Sequence, residues 1–117
     1  MKVELLYIAD CPNYRETARI LMEALSEYGL RDDLSEIEVT DSAQADALEF
    51  IGSPSIRIEG QDIESDIKAD IEPIAPVKHH YGLSCRTYLL DGKLTGIPPL
   101  EMIRKAIRSA AIVAQGV

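Results

Sequence analysis

No stretch of this sequence approaches the ~20 consecutive apolar residues that a membrane-spanning helix needs. No small-residue cleavage site follows the opening Met1-Lys2, so the expected location is the cytoplasm. Cysteine is scarce: Cys11 and Cys85 stand 74 positions apart, without the paired spacing of a zinc site or a secreted disulfide framework. No basic cluster is present either. With 20 acidic against 12 basic residues the formal charge is −8, and the acids are dispersed along the chain, which makes nucleic acid and anionic lipid poor partners. Internal repeats and low-complexity tracts are absent. The 117 residues are 46% hydrophobic, enough for one domain over residues 1–117 to bury a core without metal or disulfide staples.

Hydrophobic period then divides the chain. Residues 2–9 form a short, mostly apolar run ending at Asp10, which suits a central strand covered on both faces. The next segment has a helical period, with Ala18, Leu21, Met22, Leu25 and Tyr28 on one side and Arg15, Glu16, Arg19, Glu23 and Glu27 on the other. Pro12 suits a first helical position and Gly29 a stop, which puts Cys11 at the N-cap. Residues 35–40 alternate Ile37 and Val39 with Glu36 and Glu38, the pattern of a strand with one wetter face. Asp41 and Gln44 make a capping arrangement for a short second helix that carries Ala43, Ala47, Leu48 and Ile51 and ends at Gly52. Short connections of this kind favour parallel first and second strands.

Gly52-Ser53-Pro54-Ser55 leads into a third strand, Ile56-Arg57-Ile58, closed by the turn residue Gly60. Pro54 cannot donate to a ladder, so it belongs at the strand's mouth, where a Ser–Pro bond is one of the few that tolerates cis. Residues 61–82 are read as a long loop, rich in acids and interrupted by Pro73 and Pro76. The adjacent His79-His80 in it are taken as solvated, since neighbouring histidines diverge and no second cluster completes a metal set. A fourth strand is expected over Cys85–Leu90, then a turn at Asp91-Gly92, and a last helix after Pro98-Pro99 with Leu100, Ile103, Ile107 and Ala110 on one face and a frayed tail past Ala111.

A strand, Cys11-Pro12-Asn13-Tyr14 at a helix start, a strand, a helix, Ser53-Pro54 before a strand, a further strand and a closing helix together resemble the thioredoxin-like superfamily. The resemblance is nearest to small thioredoxin- or glutaredoxin-like proteins that keep only the first active-site cysteine. It covers nearly the whole chain outside residues 61–82. It implies a β-α-β-α-β-β-α fold around a central four-stranded mixed sheet flanked by helices. It further implies that Cys11 holds the nucleophilic position, that Pro54 is the cis proline beside it, and that Gly96 in Leu94-Thr95-Gly96-Ile97 approaches the same end. Tyr14 departs from the pattern by standing where a dithiol enzyme has its resolving cysteine.

Independently of the resemblance, a helix N-terminus offers unpaired N–H groups and a partial positive charge that favour a thiolate, the reactive form of cysteine. Arg15 would add to this and Asp10 oppose it. The alternative is that Cys11 is a small hydrophobe filling the strand-to-helix junction. Pro54 likewise either frees neighbouring backbone for an extended substrate, such as glutathione or a peptide, or only fixes the chain reversal. Cys85 is the candidate secondary thiol. A hairpin return from the third strand would start it at the far end of the sheet, beyond the ~7 Å between α-carbons that a disulfide tolerates.

The leading expectation is a thiol/disulfide oxidoreductase-like protein. Cys11 would form a mixed disulfide with a protein or small-molecule substrate, with Pro12, Asn13, Tyr14, Ser53 and Pro54 lining the substrate site. Glutathione or another external thiol would resolve it, with no metal and no resident cofactor. The alternatives are a non-enzymatic binding or assembly module, homodimeric through the sheet edge or the 61–82 loop, and a soft-metal binder acting through Cys11.

Overall fold

A computed structural model describes residues 1–64 and 82–115. The first strand, β1 (Val3–Tyr7), is followed by α1 (Tyr14–Glu27), a 3-10 turn (Arg31–Asp33), β2 (Leu34–Glu38), α2 (Ser42–Leu48), β3 (Ser55–Ile58), β4 (Gln61–Asp62), β5 (Tyr88–Leu90), β6 (Lys93–Thr95) and α3 (Leu100–Gln115). The main sheet is mixed, in the order β2-β1-β3-β4, with β1 parallel to β2 and antiparallel to β3. The fold class expected from sequence is therefore present.

The mostly apolar β1 lies inside this sheet, between β2 and β3, because both of its faces are covered. Val3 and Leu5 share one face with Ile56 and Ile58 of β3, against Leu21, Ala24 and Leu25 of α1 and Ile103 and Ile107 of α3. Leu6 points the other way, into a smaller cluster with Val39, Ala45 and Phe50 under α2. Each of the buried Val, Leu, Ile and Phe side chains among these contributes about 1.5–3 kcal/mol relative to exposure. On α1 the buried stripe is Thr17, Leu21, Ala24 and Leu25, while Tyr28, which the helical period assigned to the apolar face, is exposed. Arg104 of α3 forks onto Glu27 at the end of α1, tying the two helices at the surface.

Several boundaries differ from the sequence reading. The α1 N-cap is Asn13, two residues after Cys11, because the chain first closes a turn in which the Tyr14 N–H donates to the Cys11 carbonyl at 3.4 Å. α2 is capped as expected, with the Gln44 N–H donating to Asp41 at 2.7 Å. It ends earlier than Gly52: Glu49 adopts the left-handed conformation (φ 53°, ψ 44°) that stops the helix and turns Phe50 into the core. α3 continues to Gln115, past the expected fraying point at Ala111.

The largest correction concerns the fourth strand and the 61–82 loop. Glu59 and Gly60, both at positive φ, form a two-residue hairpin turn, and Gln61–Asp62 returns against Ile58 and Arg57 as the fourth strand. The expected loop thus begins as ordered structure. Cys85–Leu90 is not the fourth strand; only Tyr88–Leu90 is extended, and it pairs with β6 across the Asp91-Gly92 turn as a separate two-stranded ribbon. His79, His80, Pro73 and Pro76 lie outside the described residues.

Candidate functional site

The β1–β3 ladder runs out at Leu6↔Ser55, and the next residues in each direction build the site. Past β1 the chain turns at once, with the Cys11 N–H donating to the Ile8 carbonyl at 3.1 Å. Before β3 comes the Ser53–Pro54 peptide bond, which is cis, as expected at this strand mouth. The Oγ of Ser53 accepts from the Ile8 N–H at 3.1 Å, replacing the backbone pairing that a proline-interrupted strand cannot continue. Cys11 and the cis proline are therefore held at the same end of the sheet. Cys11, at 9% exposure, Ser53 and Pro54 are buried, Pro12 is open to solvent, and Asn13 and Tyr14 are half-buried. Arg15 and Asp10 are both exposed.

The segment Ser84-Cys85-Arg86 occupies the other side of Ser53. The Ser53 N–H donates to the Ser84 carbonyl at 2.8 Å and the Arg86 N–H donates to the Ser53 carbonyl at 3.0 Å, so that Ser53 and Cys85 form a parallel bridge. This overturns the expected placement of Cys85 at the remote end, which assumed that its strand paired with β3. Because β4 takes that pairing, the chain is free to re-enter beside the proline. Cys85 is exposed there, and both cysteines are free thiols.

What fixes this segment is a buried ionic network. Arg86, 8% exposed, sends one arm of its guanidinium to Asp62 and the other to Glu64 at 2.7 Å, and also reaches the Ser55 hydroxyl at 3.2 Å. Glu64 accepts in addition from the Leu89 N–H at 3.0 Å. The Arg86 carbon lies 4.2 Å from the centre of the Tyr88 ring, and the Tyr88 hydroxyl donates to the Pro54 carbonyl. Burial alone would lower the Arg86 pKa, yet the bonds to the two carboxylates hold it above the ordinary guanidinium range. Burial likewise pushes the Tyr88 phenol up. Gly52 makes the approach possible: a Cβ built on it would stand 2.7 Å from the Arg86 Cβ, and its φ of +152° is open mainly to glycine. Sequence reasoning missed this network, having taken Asp62 and Glu64 as loop acids.

Two further contacts frame the Cys11 turn. Tyr14 stacks on Tyr7, with ring centres 3.8 Å apart and planes 17° from parallel. Desolvation first, then the neighbouring Glu36 and Tyr7, raises the Tyr14 phenol above its ordinary range, so it stays protonated at neutral pH. The Thr95-Gly96-Ile97 segment passes over the start of α1, where a Cβ on Gly96 would come within 2.5 Å of Asn13 Nδ2. Gly96 thus reaches the same end of the sheet, as the resemblance implied.

In chemical terms the arrangement sets a thiol at a helix approach, a second thiol across one serine from the same chain end, and between them backbone already paired. Ser53 and Pro54 are present at the site, but the Ser53 N–H and carbonyl and the Pro54 carbonyl are all bonded within the chain. Among the described residues no three His, Cys, Asp or Glu side chains gather as a metal site, and no helix is long and apolar enough to cross a membrane. Neither the curated proteins nor the solved structures contain a match to this chain. A family profile described as Domain of unknown function (DUF2703) matches residues 12–107, a span that takes in Ser53, Pro54, Cys85 and the Arg86 network, and the chain accordingly belongs to the DUF2703 family.

Proposed function

We propose that the protein is a thioredoxin-like thiol/disulfide exchange protein in which Cys11 is the attacking thiol. The observation that carries this reading is the convergence of Cys11 and the cis Ser53–Pro54 bond, joined through Ile8, at one end of a β2-β1-β3-β4 sheet. The strand order and directions support the thioredoxin-like assignment. The turn that holds Cys11 leads straight into α1, whose first amide, at Tyr14, donates to the Cys11 carbonyl and ties the residue to the helix start. In the reaction the Cys11 thiolate attacks one sulfur of a substrate disulfide, forms a mixed disulfide and releases the other half as a thiolate. Because the backbone at Ser53 and Pro54 is already bonded, the reading favours a small disulfide of the glutathione class, arriving over the exposed Pro12, above a peptide that adds as a strand.

The test is reduction of a small disulfide coupled to excess glutathione. Cys11→Ser is expected to lose the activity and Cys85→Ser to retain it, since excess glutathione can resolve the mixed disulfide. Full activity in Cys11→Ser would refute the assignment. A second reading, a non-catalytic binding module, draws on the β5–β6 ribbon, where Leu89 and Leu94 pair across the strands and both are exposed, Leu94 to 71%. A concentration-dependent mass in size-exclusion chromatography that collapses on Leu94→Glu, together with an inert Cys11, would favour it.

A further inference from the structure

We infer that Cys85 is the resolving partner of Cys11, carried on a segment that fills from within the chain the place a docked strand would take. The inference rests on the proposed role of Cys11. An extended peptide recognised at a sheet edge pairs through its backbone with the free N–H and carbonyl of the edge residue. At Ser53 those two groups are spent on Ser84 and Arg86, so the residue lying opposite Ser53, in the place a docked strand would take, is Cys85. On its other side Ser53 accepts from Ile8, whose carbonyl holds the Cys11 N–H. The two cysteines therefore flank one fully buried residue, each tied to it through short hydrogen-bonded links.

Two properties of the segment favour reaction over chance proximity. Its backbone is anchored: Arg86 grips Asp62 and Glu64, Gly52 lets the Arg86 backbone close in, and Tyr88 bonds the Pro54 carbonyl. Its thiol is exposed and not held in a disulfide. A fixed backbone carrying an exposed thiol suits a sulfur that must bond to another and then leave. It also accounts for Tyr14 at the position where a contiguous dithiol would carry its second cysteine: the second thiol is supplied from across the sheet.

The step balances as two exchanges. The Cys11 thiolate attacks R–S–S–R′, forming Cys11–S–S–R and releasing R′S⁻. The Cys85 thiolate then attacks the Cys11 sulfur, forming a Cys11–Cys85 disulfide and releasing RS⁻. The substrate disulfide gains two electrons and, on protonation, the two thiol protons; the protein's thiols lose them. An external thiol such as glutathione returns the protein to the dithiol form.

The experiment mixes the fully reduced chain with stoichiometric glutathione disulfide, without free thiol, and follows intact mass and cysteine-containing peptides after acid quenching. The wild type is expected to lose two hydrogens, to yield a Cys11–Cys85 linked peptide and to release two glutathione molecules per chain. Cys85→Ser and Cys85→Ala are expected to stop at a Cys11–glutathione adduct, halving the release. If the wild type stops at the same adduct, Cys85 does not resolve and the inference fails while the role of Cys11 stands. If Cys11 takes up no glutathione in any variant, the proposed function fails with it.

Discussion

Replacing Arg86 by methionine isolates the contribution of the buried network that holds Ser84-Cys85-Arg86 in place. The Arg86 side chain is 6% exposed, Glu64 10% and Asp62 21%. Removing the only cation these two carboxylates share, among the described residues, leaves Glu64 buried without its charge partner, although the Leu89 N–H still donates to it. Breaking a buried pair from one side costs about 3–5 kcal/mol. Asp62 retains some contact with water and softens its share, so the lower end, about 3 kcal/mol, is the expected loss. For a domain with about 5–15 kcal/mol of total stability this is a large fraction. With a urea dependence of about 1–3 kcal/mol per molar, it moves the unfolding midpoint down by roughly 1–3 M. Arg86→Met combined with Glu64→Gln should recover part of the loss, because the uncompensated charge is gone, and a double-mutant cycle reads that coupling directly. A loss below about 1 kcal/mol for Arg86→Met, or perfect additivity in the cycle, would refute the reasoning.

Other perturbations follow from the same contacts. The folded chain holds the phenolic protons of Tyr14 and Tyr88 above the ordinary range, so as pH rises past ~10 the unfolded chain binds fewer protons and stability falls; urea midpoints measured from pH ~9 to ~11 should decline more steeply in the wild type than in Tyr88→Phe, and equal slopes would contradict the burial of that phenol. Gly52→Ala forces a methyl group to 2.7 Å from the Arg86 Cβ at a φ unsuited to alanine; it should cost more than ~1 kcal/mol and speed amide exchange at Ser53 and Arg86. Asp41→Ala removes the α2 N-cap bond to Gln44, with an expected loss of about 1 kcal/mol in chemical denaturation and no change at Cys11.

The central architecture was legible because it rests on local signals. The apolar run of β1, the amphipathic period of α1, the Asp41 cap and the Ser53-Pro54 pair each state their own place. The fourth strand was not legible, because Gln61–Asp62 is two residues long and its turn is Glu59-Gly60, a weaker hairpin signal than the Asp91-Gly92 that did announce β5 and β6. That one misplacement carried Cys85 to the wrong end of the sheet. Phe50 was passed over because the helical pattern seemed to run on to Gly52, whereas the left-handed Glu49 turns the chain and buries it. At the site, Cys11 and Pro54 could be named from residue type and position. The Arg86–Asp62–Glu64 network could not, since Arg86 lies more than 20 positions from both carboxylates and meets them only once the chain has folded.

The most direct measurement is the rate at which Cys11 exchanges with glutathione disulfide in the folded Cys85→Ser chain, compared with the same chain unfolded in urea under matched conditions. The folded thiol is expected to react faster, because the fold holds Cys11 at the start of the turn into α1, beside the cis Ser53–Pro54 bond and the exposed Pro12. A folded rate at or below the unfolded one would make Cys11 a packing residue at a strand-to-helix junction and contradict the exchange mechanism.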